Sequence, residues 1–209
     1  MASIKKAMQT YARQGGTSSI FIHEDGMQVI SEELRQERIA FYATHNIGWV
    51  ARPKHDSSPE GFNRAGRFKK ASNMNYGLAL SMKLERHLKV LEEAVEQGEL
   101  EESENQSLED KALEMAVEET FEETGGKWRP WAANGKSLRI GEIILIVDAD
   151  TIVPEVRVAC MYFHSCLFLT DRWDAGLFTR CCPGTGRVPR SCHHPARIRS
   201  APLLWHLLL

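Results

Sequence analysis

An α/β fold with a mostly parallel sheet is predicted by the way strand-like and helical segments alternate along residues 1–155. Short apolar runs, each followed by a turn, occur at residues 18–23, 47–51 and 143–148. Segments with helical spacing lie between these runs. Parallel strands need such crossovers, so the three runs are expected to be neighbours in one sheet.

The helices and loops are predicted from spacing, capping residues and punctuation by glycine and proline. Helices are expected over 3–14, 31–44, 71–97 and the acidic stretch within 98–123, and loops over 54–70 and 128–135. The acidic stretch is expected to lie outside the core. The last strand, which contains Ile143-Ile144-Leu145-Ile146-Val147, is a continuous apolar run, so it is expected to be covered on both faces.

Composition changes sharply after Glu155. All ten lysines precede this residue and all five cysteines follow it, and the net charge is −7 before the break and +5 after it. One evolved domain rarely changes composition in this way. We therefore predict a partial catalytic domain over 1–155, with an acidic insertion at about 92–136, and an aberrant, irregular tail over 156–209.

The tail suggests a specific origin. Residues 156–158 can be encoded by codons that open with a 5′ splice signal, and residues 174–176 by codons that contain a CAG acceptor. The interval between these signals is not a multiple of three. The hypothesis is that an unspliced intron and a shifted reading frame encode residues 156–209, and that this tail is poorly ordered.

Charge and hydropathy exclude several classes of function. The net charge of −2 gives no reason to expect nucleic acid as a partner. No apolar run reaches the roughly 18–20 residues that span a bilayer, and the N-terminus has no apolar segment of the signal-peptide type. This chain is therefore expected to be cytoplasmic.

Asp148-Ala149-Asp150 follows the strongest predicted strand and is the first candidate for chemistry. Ligands of open α/β sheets bind beyond the carboxyl ends of the strands. Two carboxylates one residue apart can converge there on Mg²⁺ or Mn²⁺, which prefer oxygen ligands and keep positions free for diphosphate oxygens. An ordinary turn is the alternative interpretation.

Two further segments have the residue types of a nucleotide site. Glu24-Asp25-Gly26 ends an earlier strand, where a carboxylate can accept hydrogen bonds from a base or a ribose. Lys70-Ala71-Ser72-Asn73-Met74-Asn75 opens a helix after a basic loop, and a helix N-terminus beside a lysine suits a diphosphate. A plain turn and a capped helix with a solvated lysine remain the alternatives.

The order of these motifs resembles that in processive family 2 glycosyltransferases, the family of cellulose, chitin and hyaluronan synthases. The stretch RPK…GRFKKASNMNYGL…ILIVDADTIVPE is most similar to fungal cellulose-synthase-like proteins. The resemblance covers residues 1–155 and implies part of a GT-A nucleotide-sugar-binding domain. It also implies metal-dependent, inverting transfer from a nucleotide sugar, of the UDP type, to a polysaccharide or glycan acceptor.

The resemblance implies a role for each matching residue. Asp25 would contact the nucleobase, and Lys70 and Asn75 would lie near the diphosphate and the donor sugar. Asp148 would contact ribose or metal, and Asp150 would hold Mg²⁺ or Mn²⁺. Glu24 and Ser72 depart from the family pattern, which usually has Asp and Gly there.

Several motifs of the family do not occur in the sequence: its opening strand, its acidic catalytic-base motif, its Gln-x-x-Arg-Trp acceptor motif and its transmembrane helices. The catalytic residue is therefore unknown, and we expect an inactive fragment. The family associates with membranes through those helices and keeps its catalytic domain in the cytoplasm.

Two other function classes remain open. One is a non-catalytic chain that binds a nucleotide or is purely structural. The other is a Nudix-like pyrophosphohydrolase, because Glu119, Glu122, Glu123 and Gly125 resemble the acidic end of a Nudix box, with Asp110 in place of its earlier Glu. Glu118 stands where that box has its arginine, so a solvated acidic helix explains these residues better.

Overall fold

Five helices and five strands form within the part of the chain that the computed structural model describes, which comprises residues 1–64, 69–100, 106–148, 152–153 and 202–208. The chain divides into two units. The first comprises Met1–Gly16 with Ile152–Ser200, and the second comprises Thr17–Thr151 with Ala201–Leu209.

In the first unit, the described residues form one helix, α1 (Ala2–Arg13). Its buried side chains recur at spacings of three and four, and they are Ile4, Ala7 and Tyr11. Gly15 follows the helix with φ +87°, a conformation that favours glycine. The predicted helix and its glycine stop are confirmed.

The second unit contains the sheet and the other helices. In chain order its elements are β1 (Thr17–Glu24), α2 (Glu32–Thr44), β2 (Gly48–Ala51), α3 (Lys69–Glu96), α4 (Leu108–Glu123), β3 (Trp131–Ala133), α5 (Gly135–Leu138), β4 (Ile143–Asp148) and β5 (Pro202–Leu208). The strand order is β3-β2-β1-β5-β4. Strands β2, β1, β5 and β4 run parallel, and β3 pairs antiparallel with β2. The predicted α/β class is confirmed, with a small mixed sheet.

Helices lie on both faces of this sheet. Successive residues of β1 point to opposite faces, so their contacts show which helix covers each face. Phe21 and His23 face α3, whose Gly77 lies directly against their rings. Glu24 points to the other face, where Tyr42 of α2 donates a hydrogen bond to its carboxylate. Ser31 caps α2 as predicted, with its Oγ accepting from the backbone N–H of Leu34 at 3.4 Å.

The prediction that the acidic stretch lies outside the core is wrong for α4. Four of its side chains are buried in the hydrophobic core with α3 and β1, and they are Ala112, Leu113, Ala116 and Val117. Their spacing of one, four and five residues gives an acidic helix one narrow apolar stripe. The acidic insertion therefore supplies part of the core.

The stretch predicted as a loop, 128–135, contains β3 and the first residue of α5. Residues 131–133 add an antiparallel strand to the edge of the sheet, with Trp49 paired to Ala133 and Ala51 to Trp131. Leu138 of α5 is fully buried in the core. Tight packing of α5 on β2 explains Gly48, because a Cβ there would come within 2.5 Å of the Leu138 side chain.

Three predictions about the end of the sheet also fail. Residues 202–208 are not irregular, because they form β5 and pair with strands on both sides. β5 separates β1 from β4, so the predicted strands around residues 18–23 and 143–148 share a sheet but are not direct neighbours. β4 is an edge strand, and alternate residues Ile144 and Ile146 are exposed, so it is not covered on both faces. The rest of the predicted tail, residues 156–201 and 209, lies outside the described residues.

Candidate functional site

The carboxyl ends of β1 and β4 meet at the same edge of the sheet. His23 of β1 and Asp148 of β4 both pair with Leu208, one from each side. They are therefore two strand spacings apart, about 10 Å. Asp25 lies two residues beyond His23, so the structure brings Asp25 and the backbone of Asp148 to one edge, as predicted. Asp150 lies outside the described residues.

Two arginines hold the carboxylate of Asp25. Arg52 donates from Nε to Oδ1 at 2.7 Å and forms an ion pair with the same oxygen through Nη2. Arg64 donates from Nη2 to both oxygens, at 2.9 and 2.6 Å. Asp25 keeps 38% of its side chain exposed, whereas Arg52 is almost fully buried. The carboxylate is thus fixed in direction and still accessible on one side.

The neighbouring Glu24 has a different environment. It is buried and accepts hydrogen bonds from Arg38, at 3.1 and 3.2 Å, and from the Tyr42 hydroxyl. Burial raises the pKa of Tyr42, and its hydrogen bond to Glu24 raises it further. Glu24 therefore fastens α2 to β1, and Asp25 is the member of the pair that faces outward.

The N-terminal turns of α3 lie at the same edge. Asn73 is buried and donates from its side-chain amide to the backbone carbonyl of His23 at 2.9 Å. Lys70 lies three residues earlier, on the same side of the helix, and is exposed. A helix turns by about 200° over two residues, so Asn75 lies on the far side from Asn73 and is also exposed. Asn73 links the helix to the strand, a role that the sequence motif did not indicate.

Two of the α4 carboxylates that resemble a Nudix box, Glu119 and Glu123, are paired with basic side chains. Glu123 forms an ion pair with Lys83, and Glu119 accepts from His87 at 2.7 Å and from Arg86 at 3.1 Å. Glu122 is exposed. Partial burial acts to raise the pKa of Glu119, but the hydrogen bonds from His87 and Arg86 outweigh it and lower this pKa. These pairs join α3 to α4 and favour a structural role for the acidic helix.

A separate cleft of about 540 Å³ lies at the β3 edge of the sheet, between α2 and α4. Its lining includes Trp131, Glu114 and Arg129. The Arg35 guanidinium lies 5.0 Å from the centre of the Trp131 ring. None of the residues that the sequence predicts for a nucleotide-sugar site lines this cleft.

No protein family, characterised protein or solved structure shows significant similarity to the chain. Among the described residues, no helix has the length and apolar character needed to cross a lipid bilayer. The same residues contain no group of three or more His, Cys, Asp or Glu side chains placed to hold a metal ion. Function is therefore inferred from the chemistry of the sheet edge and from the resemblance of its motifs.

Proposed function

We propose that this chain binds the nucleoside diphosphate part of a nucleotide sugar, of the UDP type, in the presence of Mg²⁺ or Mn²⁺. The observation that carries the proposal is the shared edge of β1 and β4, because Asp25 and the backbone of Asp148 lie there at the carboxyl ends of parallel strands. Ligands of open α/β sheets bind at such an edge. The domain is proposed to be part of a GT-A fold and to act in the cytoplasm.

Asp25 suits a nucleobase contact. Arg52 and Arg64 together donate mainly to Oδ1, and Oδ2 receives one hydrogen bond, from Arg64. A carboxylate has about four lone-pair sites, so Oδ2 retains the capacity to accept another donor. The N3–H of uracil is a donor of this kind. The two arginines fix the direction of this acceptor before the base arrives.

The diphosphate is proposed to lie between the start of α3 and the end of β4. The first turn of α3 offers backbone N–H groups and the positive end of the helix dipole, and Lys70 adds a cation. The donor set of Asp148 and Asp150 consists of carboxylate oxygens, which fits Mg²⁺ or Mn²⁺. Such an ion would offset the negative charge on a leaving nucleoside diphosphate.

Transfer itself would need a general base to deprotonate the acceptor hydroxyl. No residue at the sheet edge is assigned this role, since the matching motif of the resembled family does not occur in the sequence. We propose donor binding as the step that these residues perform. A chain that is only structural would bind neither UDP nor the metal ion.

Calorimetry of the full chain with UDP, with and without Mn²⁺, tests the proposal. We expect UDP to bind more than about tenfold more tightly with Mn²⁺ than without it, and Asp150→Ala to lose this gain, because a metal ligand is removed. Glu122→Ala is the matched control, since it removes an exposed carboxylate away from this edge. Equal binding by Asp150→Ala and the parent chain would remove the metal role.

The same variants separate the alternatives. A Nudix-like enzyme would hydrolyse a nucleoside diphosphate derivative and lose that activity in Glu122→Ala. A structural chain would show no heat of binding with UDP under either condition. Either result would contradict donor binding at the sheet edge.

A further inference from the structure

The cluster of Arg52, Arg64 and Asp25 has more positive charge and more hydrogen-bond donors than its own contacts use. Two guanidinium groups share one carboxylate, and the next acidic side chain along the strand, Glu24, is paired with Arg38. The group formed by the two arginines and Asp25 therefore carries one excess positive charge. Both arginines are well removed from solvent, with 4% and 12% of their side chains exposed.

The unused donors belong to Arg64. Arg52 engages all three of its nitrogens, because Nε and Nη2 contact Asp25 and Nη1 donates to the carbonyl of Pro53 at 2.7 Å. Arg64 contacts Asp25 through Nη2 alone. Its Nε is buried and has no hydrogen-bond partner among the described residues. A buried charged donor without a partner is costly, so a ligand gains affinity if the Arg64 side chain turns to present this donor to one of the ligand's oxygens.

We propose that Arg64, with Arg52 behind it, binds an oxyanion of the phosphate class at this edge without any metal ion. A guanidinium group presents a planar fork of N–H donors that matches phosphate oxygens, and such charge-assisted hydrogen bonds are the stronger ones. The inference deepens the proposed function, since it names a second contact for the diphosphate. It does not depend on Asp148 or Asp150.

Asp25 has two opposing effects on such a ligand. Its carboxylate orients both arginines, but its negative charge also competes with a bound phosphate for the same donors.

A purely structural role for the arginines is the competing explanation. In that case Arg52 and Arg64 only fasten the loop that follows β2 to the turn after β1. Replacing Arg64 would then lower the stability of the chain and leave its affinity for anions unchanged. The two roles are separated by measuring affinity and thermal stability on the same variants.

The test is calorimetric titration of the full chain with inorganic pyrophosphate in EDTA, at constant ionic strength. We expect the parent chain to bind pyrophosphate, and Arg64→Gln to bind at least about tenfold more weakly. Arg64→Lys keeps the charge but not the fork, so an intermediate affinity is expected. Arg86→Gln is the matched control, because it removes an exposed arginine that also pairs with a carboxylate.

Asp25→Asn should change the affinity for pyrophosphate in the opposite direction to Arg64→Gln. It should bind pyrophosphate severalfold more tightly than the parent chain, since a competing negative charge is removed. The same variant should bind UDP with Mn²⁺ more weakly, because one carboxylate acceptor becomes an NH₂ donor and the remaining oxygen loses its negative charge. Circular dichroism checks that each variant is folded before its affinity is compared.

Three outcomes would overturn the arginine site: no binding of pyrophosphate in EDTA, equal binding by Arg64→Gln and Arg86→Gln, or unchanged affinity in Asp25→Asn. The proposed function fails separately, through loss of Mn²⁺-dependent UDP binding. If the chain binds pyrophosphate but not UDP, the arginine site is supported and the proposed nucleotide site is refuted. If it binds UDP with Mn²⁺ but not pyrophosphate, the nucleotide site is supported and the arginine site is refuted.

Discussion

Substitution of Gly77 by alanine tests the closest contact between the helix and the strand that frame the candidate site. A Cβ at this position would come within 2.5 Å of Cε1 of His23 and 3.0 Å of Cζ of Phe21. Ordinary van der Waals contact begins near 3.4 Å, so α3 or the His23 ring must move by about 1 Å. Both rings are fully buried and have little room to move.

Two effects of opposite sign determine how Gly77→Ala changes the free energy of unfolding relative to the parent chain. Alanine is favoured over glycine inside a helix by about 1 kcal/mol. Overpacking of a close-packed core costs about 1–3 kcal/mol. We therefore expect a net loss of up to about 2 kcal/mol, which urea unfolding followed by circular dichroism can measure.

Ala79→Gly is the matched control, because Ala79 is exposed on the same helix. It should lose about 0.5–1 kcal/mol through helix propensity alone. A gain of stability in Gly77→Ala, equal in size to the loss in Ala79→Gly, would show that no close packing exists at this point. The inferred position of α3 against β1 would then be wrong.

Two further substitutions test the contacts around the site. Tyr42→Phe leaves the buried carboxylate of Glu24 with one fewer donor, so urea unfolding should show a loss of about 1–3 kcal/mol, and an unchanged stability would contradict the hydrogen bond. The pKa of Glu119 is lowered from its ordinary value of 4.5 in the folded chain, so its contribution is present above that value and is lost as the pH falls through the lowered pKa. Glu119→Gln should remove this part of the acid destabilisation, which is at most about 1 kcal/mol for a partly exposed pair. Urea unfolding at several pH values measures it, and an identical pH dependence of the free energy of unfolding in the variant and the parent chain would refute it.

Strands and helices with strong local signals could be predicted from the sequence. Three local signals locate the end of a helix or strand to within a few residues. They are the apolar run of β4, the capping serine at residue 31 and the glycine stop at residue 15. The parallel direction of the main strands followed from the crossovers between them. That direction was enough to predict that Asp25 and Asp148 share an edge.

The features that were missed, the burial of α4 and the presence of β3, have weak or conflicting local signals. α4 is acidic overall, and only its spacing of small apolar residues shows that it is buried. β3 has only three residues, and its strand conformation depends on pairing with β2. Pairing across a sheet depends on long-range contacts, which residue periodicity does not record.

The details of the candidate site depend on the same long-range contacts. Arg64 reaches Asp25 across 39 positions of sequence, and Asn73 reaches the carbonyl of His23 across 50. A basic loop indicates cations near a nucleotide, but it does not indicate which arginine meets which carboxylate. The motif around Asn73 indicated a helix start, and only the fold shows that this residue fastens the helix to the strand.

Strand β5 is the element on which the shared edge depends. β1 pairs with β5 from Thr17 to His23, and the whole length of β4 pairs with β5. Two strand spacings separate β1 from β4, so these strands cannot form hydrogen bonds to each other directly. Asp25 and the backbone of Asp148 therefore share this edge through the parallel strand between them. If residues 156–209 arise from a shifted reading frame, the chain encoded by the correct frame must either supply another strand for this position or let β1 and β4 pair directly. In both cases the proposed donor site depends on the pairing of these strands as much as on the two aspartates.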